Sequence, residues 1–213
     1  MSRIVIFGAT HGIGRAAVDE ALSRGHGVRA FARSADSIDL AHERLERMPG
    51  DALDPSNVRR GLEDVDVVVQ ALGVDHGPRM FTGPVTLFSE ATRTLLNAMH
   101  GAGVERLVAV TGFGAGTSRR HMRLPVRVPF EFVLGRVYRD KSEQERLIRQ
   151  SELEWTIVRP ARLTNGPRTE RYDVIREPGD FRFGTISRRD VAHFLIDEVE
   201  ARKAVHEAPV LAA

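Results

Sequence analysis

The chain carries a group of glycines near its N-terminus whose spacing could bind a diphosphate. A short apolar run from Ile4 to Phe7 leads directly into Gly8, Gly12 and Gly14, and an amphipathic segment follows. Glycines at a strand-to-helix turn let backbone amides approach a ligand closely, and the start of the helix adds partial positive charge. The segment therefore predicts a dinucleotide site, although its spacing is G-x-x-x-G-x-G and not G-x-G-x-x-G. The alternative is a glycine-rich turn without a ligand.

Metal and thiol chemistry find no support in the sequence. The eight histidines are scattered without the spacing of metal ligands, and the chain has no cysteine. No local motif suggests a Ser/His/Asp set. We therefore expect no metal site and no disulfide.

Composition and charge indicate an ordinary globular protein. The chain has 213 residues, 42% hydrophobic and 28% charged, and no apolar stretch approaches the ~20 residues of a membrane span. Lysine and arginine total 31 against 29 acidic residues, for a net charge of +2, which does not indicate a nucleic-acid partner. The arginine-bearing stretch 119–127 is either a solvated loop or a surface for an anionic ligand. We expect one cytoplasmic domain, since the first strand begins too early for a signal peptide.

The elements that must position the glycine turn alternate as strands and helices. This rhythm predicts an α/β fold with a doubly wound parallel sheet, the Rossmann architecture. We predict strands at about 3–7, 28–32, 45–48, 66–73, 106–111 and 154–160. We predict a short helix from Pro55, a long helix from near Pro84 through Met99, and a charged helix at about 130–150.

The sequence after Pro160 changes character. It thins into turns, with short strands predicted at about 172–176 and 181–183, and ends in an amphipathic helix at 188–200 capped by Ser187. We therefore predict one NAD(P)-binding domain over 1–213, in which 161–213 form a small, loop-rich C-terminal substrate cap.

Six segments in a fixed order resemble a known family. They are GATHGIGR at 8–15, GDALD at 50–54, VDVVVQALG at 65–73, SEATRTLLNAMHGAGVERLVAVT at 89–111, KSEQERLIRQSELEWTIVRPARLTNGP at 141–167 and TISRRDVAHFLIDEV at 185–199. The chain resembles the atypical short-chain dehydrogenase/reductases, in the small NAD(P)H-binding branch that includes biliverdin-IXβ/flavin reductase-like proteins. The likeness covers nearly the whole length.

The resemblance implies a set of cofactor-binding positions. They are Gly8, Thr10, His11, Gly12, Ile13 and Gly14 in the loop, Arg33, Asp51, Ala52, Leu72, Gly73, Thr111, Lys141 and Pro160. His11 departs from the pattern, since small members of the family often have glycine there. Arg33 stands where an NAD-preferring site offers a carboxylate, and a guanidinium there favours the 2′-phosphate of NADP, so NADPH is expected over NADH.

The resemblance also suggests catalytic residues. Thr111 matches the position of a serine or threonine near the nicotinamide, and Lys141 matches the family lysine. Tyr138 lies three residues before Lys141, whereas Tyr/Lys-dependent reductases have a tyrosine four residues before the lysine. An i, i+3 pair can still share a helix face, so Tyr138 is either catalytic or a packing residue.

The function expected from the resemblance is hydride transfer from NADPH to a flat conjugated acceptor such as a flavin, quinone or tetrapyrrole. Met80, Phe81, Phe113 and the stretch 119–127 are candidates for the acceptor side, with core packing as the alternative for the apolar residues. A second hypothesis is a non-catalytic NADP(H)-binding redox sensor. A sugar-nucleotide epimerase or dehydratase is disfavoured by the short sequence after Pro160. The expected partner is a small-molecule acceptor, with the chain a monomer or homodimer.

Overall fold

A computed structural model gives the fold for residues 1–73, 85–121, 124–182 and 184–213, with residues 124–133 described by their backbone alone. Within these residues the strands are β1 (Arg3–Phe7), β2 (Gly27–Ala32), β3 (Leu45–Pro49), β4 (Val67–Gln70), β5 (Arg106–Val110), β6 (Glu154–Pro160), β7 (Arg162–Thr164), β8 (Asp173–Ile175), β9 (Thr185–Ser187) and β10 (Val210–Ala212). The helices are α1 (Gly12–Ser23), α2 (Pro55–Gly61), α3 (Leu87–Ala102), α4 (Leu124–Gln150) and α5 (Arg188–Ala201). Short 3₁₀ turns lie at Ala35–Ser37, Gly116–His121 and Pro178–Asp180.

The main sheet has the strand order β3-β2-β1-β4-β5-β6-β10-β8. Its strand pairs are parallel except for β8, which runs antiparallel to β10. A separate parallel pair, β7 and β9, lies after the end of β6. The chain reverses its winding direction between β1 and β4, and the carboxyl ends of these two strands form the crevice in which open α/β sheets bind ligands.

Helices cover both faces of this sheet, as the doubly wound prediction requires. Ile4 and Ile6 of β1 face a cluster formed with α1 and α5, whereas Val5 and Phe7 face a cluster formed with α2 and α3. Strands buried on both faces read as nearly continuous apolar runs, which is why VVVQ and RIVIF identified β4 and β1. The predicted fold class, an α/β doubly wound parallel sheet of the Rossmann type, is confirmed.

Local signals account for several helix boundaries. The Asp54 side chain accepts the backbone N–H groups of Ser56 and Asn57, and Pro55 follows in the first turn of α2. The hydroxyl of Ser187 accepts the Asp190 N–H at the start of α5, as predicted. Gly103 ends α3 in the left-handed conformation, with φ 69°.

Other boundaries differ from the predictions. β4 is shorter than predicted and ends at Gln70, whereas α4 begins at Leu124 and not near residue 130. Pro125 falls in the first turn of α4, where its missing N–H breaks no helical hydrogen bond. Residues 181 and 182 form no strand, and the ring of Phe181 packs edge to face against Phe113. Pro84 and Phe183 lie outside the described residues.

The region predicted as a C-terminal cap divides into two parts. β10 pairs in parallel with β6, and α5 packs on α1, so both extend the main sheet and its helix layer. Three apolar residues in β10 are too few for their period to reveal a sheet strand. Residues 162–187 lie beyond the end of β6 in the chain and include β8, which pairs with β10 at the outer edge of the main sheet. A cap role for this segment stays a prediction, as does the single-domain extent 1–213.

No helix in the described ranges is both long and apolar enough to cross a bilayer.

Candidate functional site

The glycine turn is packed too tightly for side chains at two positions. Gly8 has φ 87°, and a Cβ atom there would lie 2.6 Å from the carbonyl oxygen of Ala71, just after β4. A Cβ atom on Gly14 would lie 2.2 Å from the carbonyl oxygen of Gly8. Gly8 also donates its N–H to the carbonyl of Phe31 in β2, at 3.0 Å. The turn is therefore pressed against the ends of β2 and β4, with α1 starting directly above it.

The N-terminus of α1 is suited to an anion. His11 occupies the cap position but makes no side-chain cap hydrogen bond, and the first turn contains no acidic residue. The His11 ring instead lies 3.0 Å from the Thr10 hydroxyl. The first N–H groups of a helix have no acceptor within it, so the amides around Gly12 and Ile13 present donors and partial positive charge. This is the arrangement that a diphosphate requires.

The positions predicted for the adenosine end follow β2 and β3. Arg33 comes directly after Ala32, the last residue of β2, and is exposed. Asp51 is also exposed, with its carboxylate accepting the Leu53 N–H at 3.0 Å within the turn after β3. Ala52 is buried in the core, so only its backbone is placed to contact a ligand.

Leu72 and Gly73 follow β4 at the same edge of the sheet. The Cα atom of Leu72 lies 3.1 Å from where a Cβ atom on Gly8 would stand, which brings this turn against the glycine loop. Gly73 is exposed and has open space where a Cβ atom would be. Met80 and Phe81, predicted for the acceptor side, lie outside the described residues.

Thr111 is held by a buried ion pair. Its hydroxyl donates a hydrogen bond to the Glu145 carboxylate at 2.8 Å, and the same oxygen accepts Nε of Arg159 at 2.9 Å. Glu145 and Arg159 are each about 1% exposed. Because the hydroxyl hydrogen of Thr111 points to Glu145, its oxygen can accept a further hydrogen bond but has no second proton to donate.

Lys141 and Tyr138 converge on the same turn. The Lys141 ammonium donates to the carbonyl oxygen of Thr111 at 2.7 Å and lies 4.5 Å from the ring centroid of Phe88. The Tyr138 hydroxyl oxygen lies 2.7 Å from where a Cβ atom on Gly112 would stand. Burial lowers the pKa of Lys141 to about 8 and raises the pKa of Tyr138 to about 12. The structure thus brings the three predicted catalytic residues together, and their roles stay predictions.

The carboxyl end of β6 completes this edge. Pro160 is buried, and its carbonyl oxygen accepts the N–H of Phe113 at 3.0 Å. The predicted cofactor residues thus follow β1 to β5 or end β6, apart from Lys141, which α4 supplies. Their assignment as cofactor contacts stays a prediction.

An aromatic cluster lies beside Thr111. The ring of Phe113 meets that of Phe181 edge to face at 6.3 Å, and His121 meets Phe181 in the same way at 5.5 Å. Arg119 and Arg120 stand on the 3₁₀ turn that carries His121. Of the predicted stretch 119–127, residues 122 and 123 lie outside the described residues, and only backbone is described beyond them.

Sequence reasoning missed Glu145 and Arg159. Both lie within segments that carried the family resemblance, and Arg159 ends the apolar run WTIV, where a charged residue must find a buried partner. That signal could have identified Arg159, but the identity of its partner depends on α4 lying against β6. Across the described residues no group of His, Cys, Asp or Glu could hold a metal ion.

Comparisons with known proteins agree with this geometry. The sequence matches the family described as NAD(P)H-binding over residues 8–202. It is 28% identical over 201 residues to an uncharacterized chloroplastic protein of Arabidopsis thaliana, covering 92% of this chain and 71% of that protein.

Two solved structures share the fold. One is ChuY, an anaerobillin reductase from Escherichia coli O157:H7, with a TM-score of 0.81 at 22% identity, covering 99% of this chain and 97% of that chain. The other is a short-chain dehydrogenase/reductase from Veillonella parvula in complex with NADP, with a TM-score of 0.83 at 18% identity, covering 100% of this chain and 94% of that chain. At these identities the likeness is one of fold.

Proposed function

The chain belongs to the NAD(P)H-binding family, and we propose that it is an oxidoreductase that transfers hydride from NADPH to a flat conjugated acceptor. The observation that carries this proposal is the position of the glycine turn, the Thr111–Lys141 pair and the Phe113 cluster along one edge of the sheet. Open α/β sheets bind their ligands at this edge. A bound nicotinamide coenzyme supplies the hydride.

The glycine turn and the N-terminus of α1 would hold the diphosphate of the coenzyme. The space left by the absent side chains of Gly8 and Gly14 is filled by backbone, so the turn keeps its amides at a fixed position. Lys141 stands at the far end of the same edge, fixed by the Thr111 carbonyl and by Phe88. An ammonium there suits a hydroxyl of the coenzyme ribose as its hydrogen-bond acceptor.

We propose NADPH as the preferred coenzyme because Arg33 follows β2. Its exposed guanidinium can form two hydrogen bonds to a 2′-phosphate, whereas a carboxylate at this position would repel that group. Replacing Arg33 tests this preference separately from the binding of the diphosphate.

The acceptor class is proposed from the aromatic cluster. The partly exposed rings of Phe181 and His121 lie against or near the buried ring of Phe113, two residues after Thr111, and Arg119 and Arg120 offer cations for carboxylate or phosphate groups on the acceptor. The fold neighbour named an anaerobillin reductase is in keeping with a tetrapyrrole-like acceptor, beside flavins and quinones.

The side chains near Thr111 favour a mechanism that positions the reactants and leaves proton delivery to solvent. The Thr111 hydroxyl donates its hydrogen bond to Glu145, and the pKa of Tyr138 is raised, so neither side chain is well suited to donate a proton to the substrate. Hydride transfer to a conjugated acceptor chiefly needs stacking and orientation. Lys141 and the aromatic cluster would provide both.

Steady-state NADPH oxidation at 340 nm with FMN, menadione and biliverdin tests this function. We expect turnover with at least one acceptor. Phe181→Leu should raise the KM for that acceptor and leave the affinity for NADPH unchanged. Tyr172→Leu is the matched control, because Tyr172 packs instead against His193 and Phe194 on α5. If no acceptor is reduced above background by a protein that binds NADPH, the enzymatic proposal fails.

A second candidate is a non-catalytic redox sensor. It is favoured by the same two observations, the hydrogen bond from the Thr111 hydroxyl to Glu145 and the raised pKa of Tyr138. A sensor would bind oxidised and reduced coenzyme with unequal affinity and show no turnover. The monomeric or homodimeric state and the cytoplasmic location stay predictions.

A further inference from the structure

Arg188 lies beside the glycine turn although it comes from the far end of the sequence. It is the first residue of α5, and its Nε and Cδ atoms lie 3.7 Å and 3.9 Å from where a Cβ atom on Gly12 would stand. Because Gly12 has no side chain, the guanidinium lies directly over the first turn of α1. No motif in the sequence linked these two segments.

The position of Arg188 is fixed by its surroundings. The preceding residue, Ser187, exchanges hydrogen bonds with Asp190, whose carboxylate also accepts the N–H groups of Thr169 and Glu170. α5 further packs on α1 in a common apolar cluster. The backbone that carries Arg188 therefore has little freedom to move away from the glycine turn.

No carboxylate of the described residues compensates the charge of Arg188. Among the described residues it enters no ion pair, and its Nη1 donates to the neutral amide oxygen of Asn165 at 2.7 Å. Arg24, just beyond the other end of α1, instead contacts three carboxylates, those of Glu20, Asp197 and Glu200. A cation at a helix N-terminus is repelled by the helix dipole, so the position of Arg188 is unfavourable until an anion binds between them.

We propose that Arg188 binds the diphosphate of the coenzyme, closing over it from the side opposite the α1 amides. This inference rests on the proposed function, because it assumes a dinucleotide at the glycine turn. Arg188 would act on the diphosphate that NADH and NADPH share, whereas Arg33 would act on the 2′-phosphate of NADPH alone. Asn165 is a positioning residue that orients the guanidinium.

The test compares Arg188→Gln with Arg189→Gln, a matched control because Arg189 is the exposed neighbour on the same helix turn. Calorimetric titrations use NADPH, NADH and 2′-AMP, which has no diphosphate. Because Arg188→Gln loses one charge-assisted contact, it should bind both coenzymes about tenfold more weakly and bind 2′-AMP with unchanged affinity. Arg188→Gln should also reduce the salt dependence of coenzyme binding, and Arg189→Gln should match the wild type throughout.

Asn165→Ala gives a second readout that keeps the charge. It should lower the affinity for both coenzymes by less than Arg188→Gln does, again without changing the affinity for 2′-AMP. The inference is overturned if Arg188→Gln binds both coenzymes within twofold of the wild type, or if 2′-AMP is weakened as much as they are. A wild-type chain that binds neither coenzyme would instead refute the proposed function, so the two failures are distinguishable. Unfolding midpoints of the coenzyme-free variants at or above that of the wild type exclude a folding defect as the cause of any loss.

Discussion

Replacing Gly14 by alanine tests whether the tight glycine turn builds the site. In an ordinary helix the change stabilises, because glycine costs about 0.5–1 kcal/mol relative to alanine. At Gly14, however, the new Cβ atom would lie 2.2 Å from the Gly8 carbonyl oxygen, whereas ordinary contact begins near 3.4 Å. α1 and the turn must separate by about 1 Å, and overpacking of this kind typically costs about 1–3 kcal/mol. Subtracting the helical gain from the cost of the clash leaves an expected net loss of up to about 2.5 kcal/mol.

The same displacement should weaken coenzyme binding. Moving the α1 amides away from the turn breaks at least one charge-assisted hydrogen bond to the diphosphate, worth about 1.5–3 kcal/mol, or about 10- to 150-fold in affinity. Urea unfolding of the coenzyme-free protein measures the first effect, and titration with NADPH measures the second.

Gly101→Ala is the matched control for this variant. Gly101 lies in the last turn of α3, and a Cβ atom there would meet nothing within 4 Å. We expect a gain of up to about 1 kcal/mol and unchanged NADPH affinity. If Gly14→Ala gains stability as Gly101→Ala does and binds NADPH normally, the packing argument for the turn is refuted.

Three further variants follow from the site. Arg33→Ala should lower the affinity for NADPH far more than the affinity for NADH in titrations, and equal losses of affinity would contradict the proposed NADPH preference. Glu145→Ala leaves Arg159 buried without its carboxylate partner and should lower the unfolding free energy measured in urea by about 3–5 kcal/mol. Glu143→Ala, at the surface of the same helix, should lower it by less than about 1 kcal/mol. Similar losses for the two variants would contradict the importance of burial. Burial lowers the pKa of Lys141 to about 8 from 10.5, so between these pH values the unfolded chain holds more protons and this group makes the unfolding free energy rise with pH. Lys141→Met should remove that rise in pH-dependent urea unfolding, and an unchanged slope would contradict the lowered pKa.

The sequence predicted those parts of the fold that depend on local patterns. The apolar runs of β1, β4 and β5 and the glycines after β1 carry their structural reason within a few residues, because each strand is buried on both faces and the turn needs close backbone approach. The end of β2 was located in the same way, which placed Arg33 at the binding edge.

The remaining features depend on contacts between distant segments. Glu145 meets Arg159 only because α4 lies across β5 and β6, and Arg188 reaches Gly12 only because α5 packs on α1. β10 has three residues, too few for a period, and its place beside β6 is fixed by pairing and not by its own sequence. Hydrophobic patterns and turn signals contain no information on such pairings.

Calorimetric titration of the full chain with NADPH and with NADH tests directly whether a nicotinamide coenzyme binds at the N-terminus of α1. We expect saturable binding of one coenzyme per chain, tighter for NADPH and weakened by Gly14→Ala. Absence of binding heat with both coenzymes at millimolar concentration, together with an unfolding midpoint that neither coenzyme raises, would contradict it.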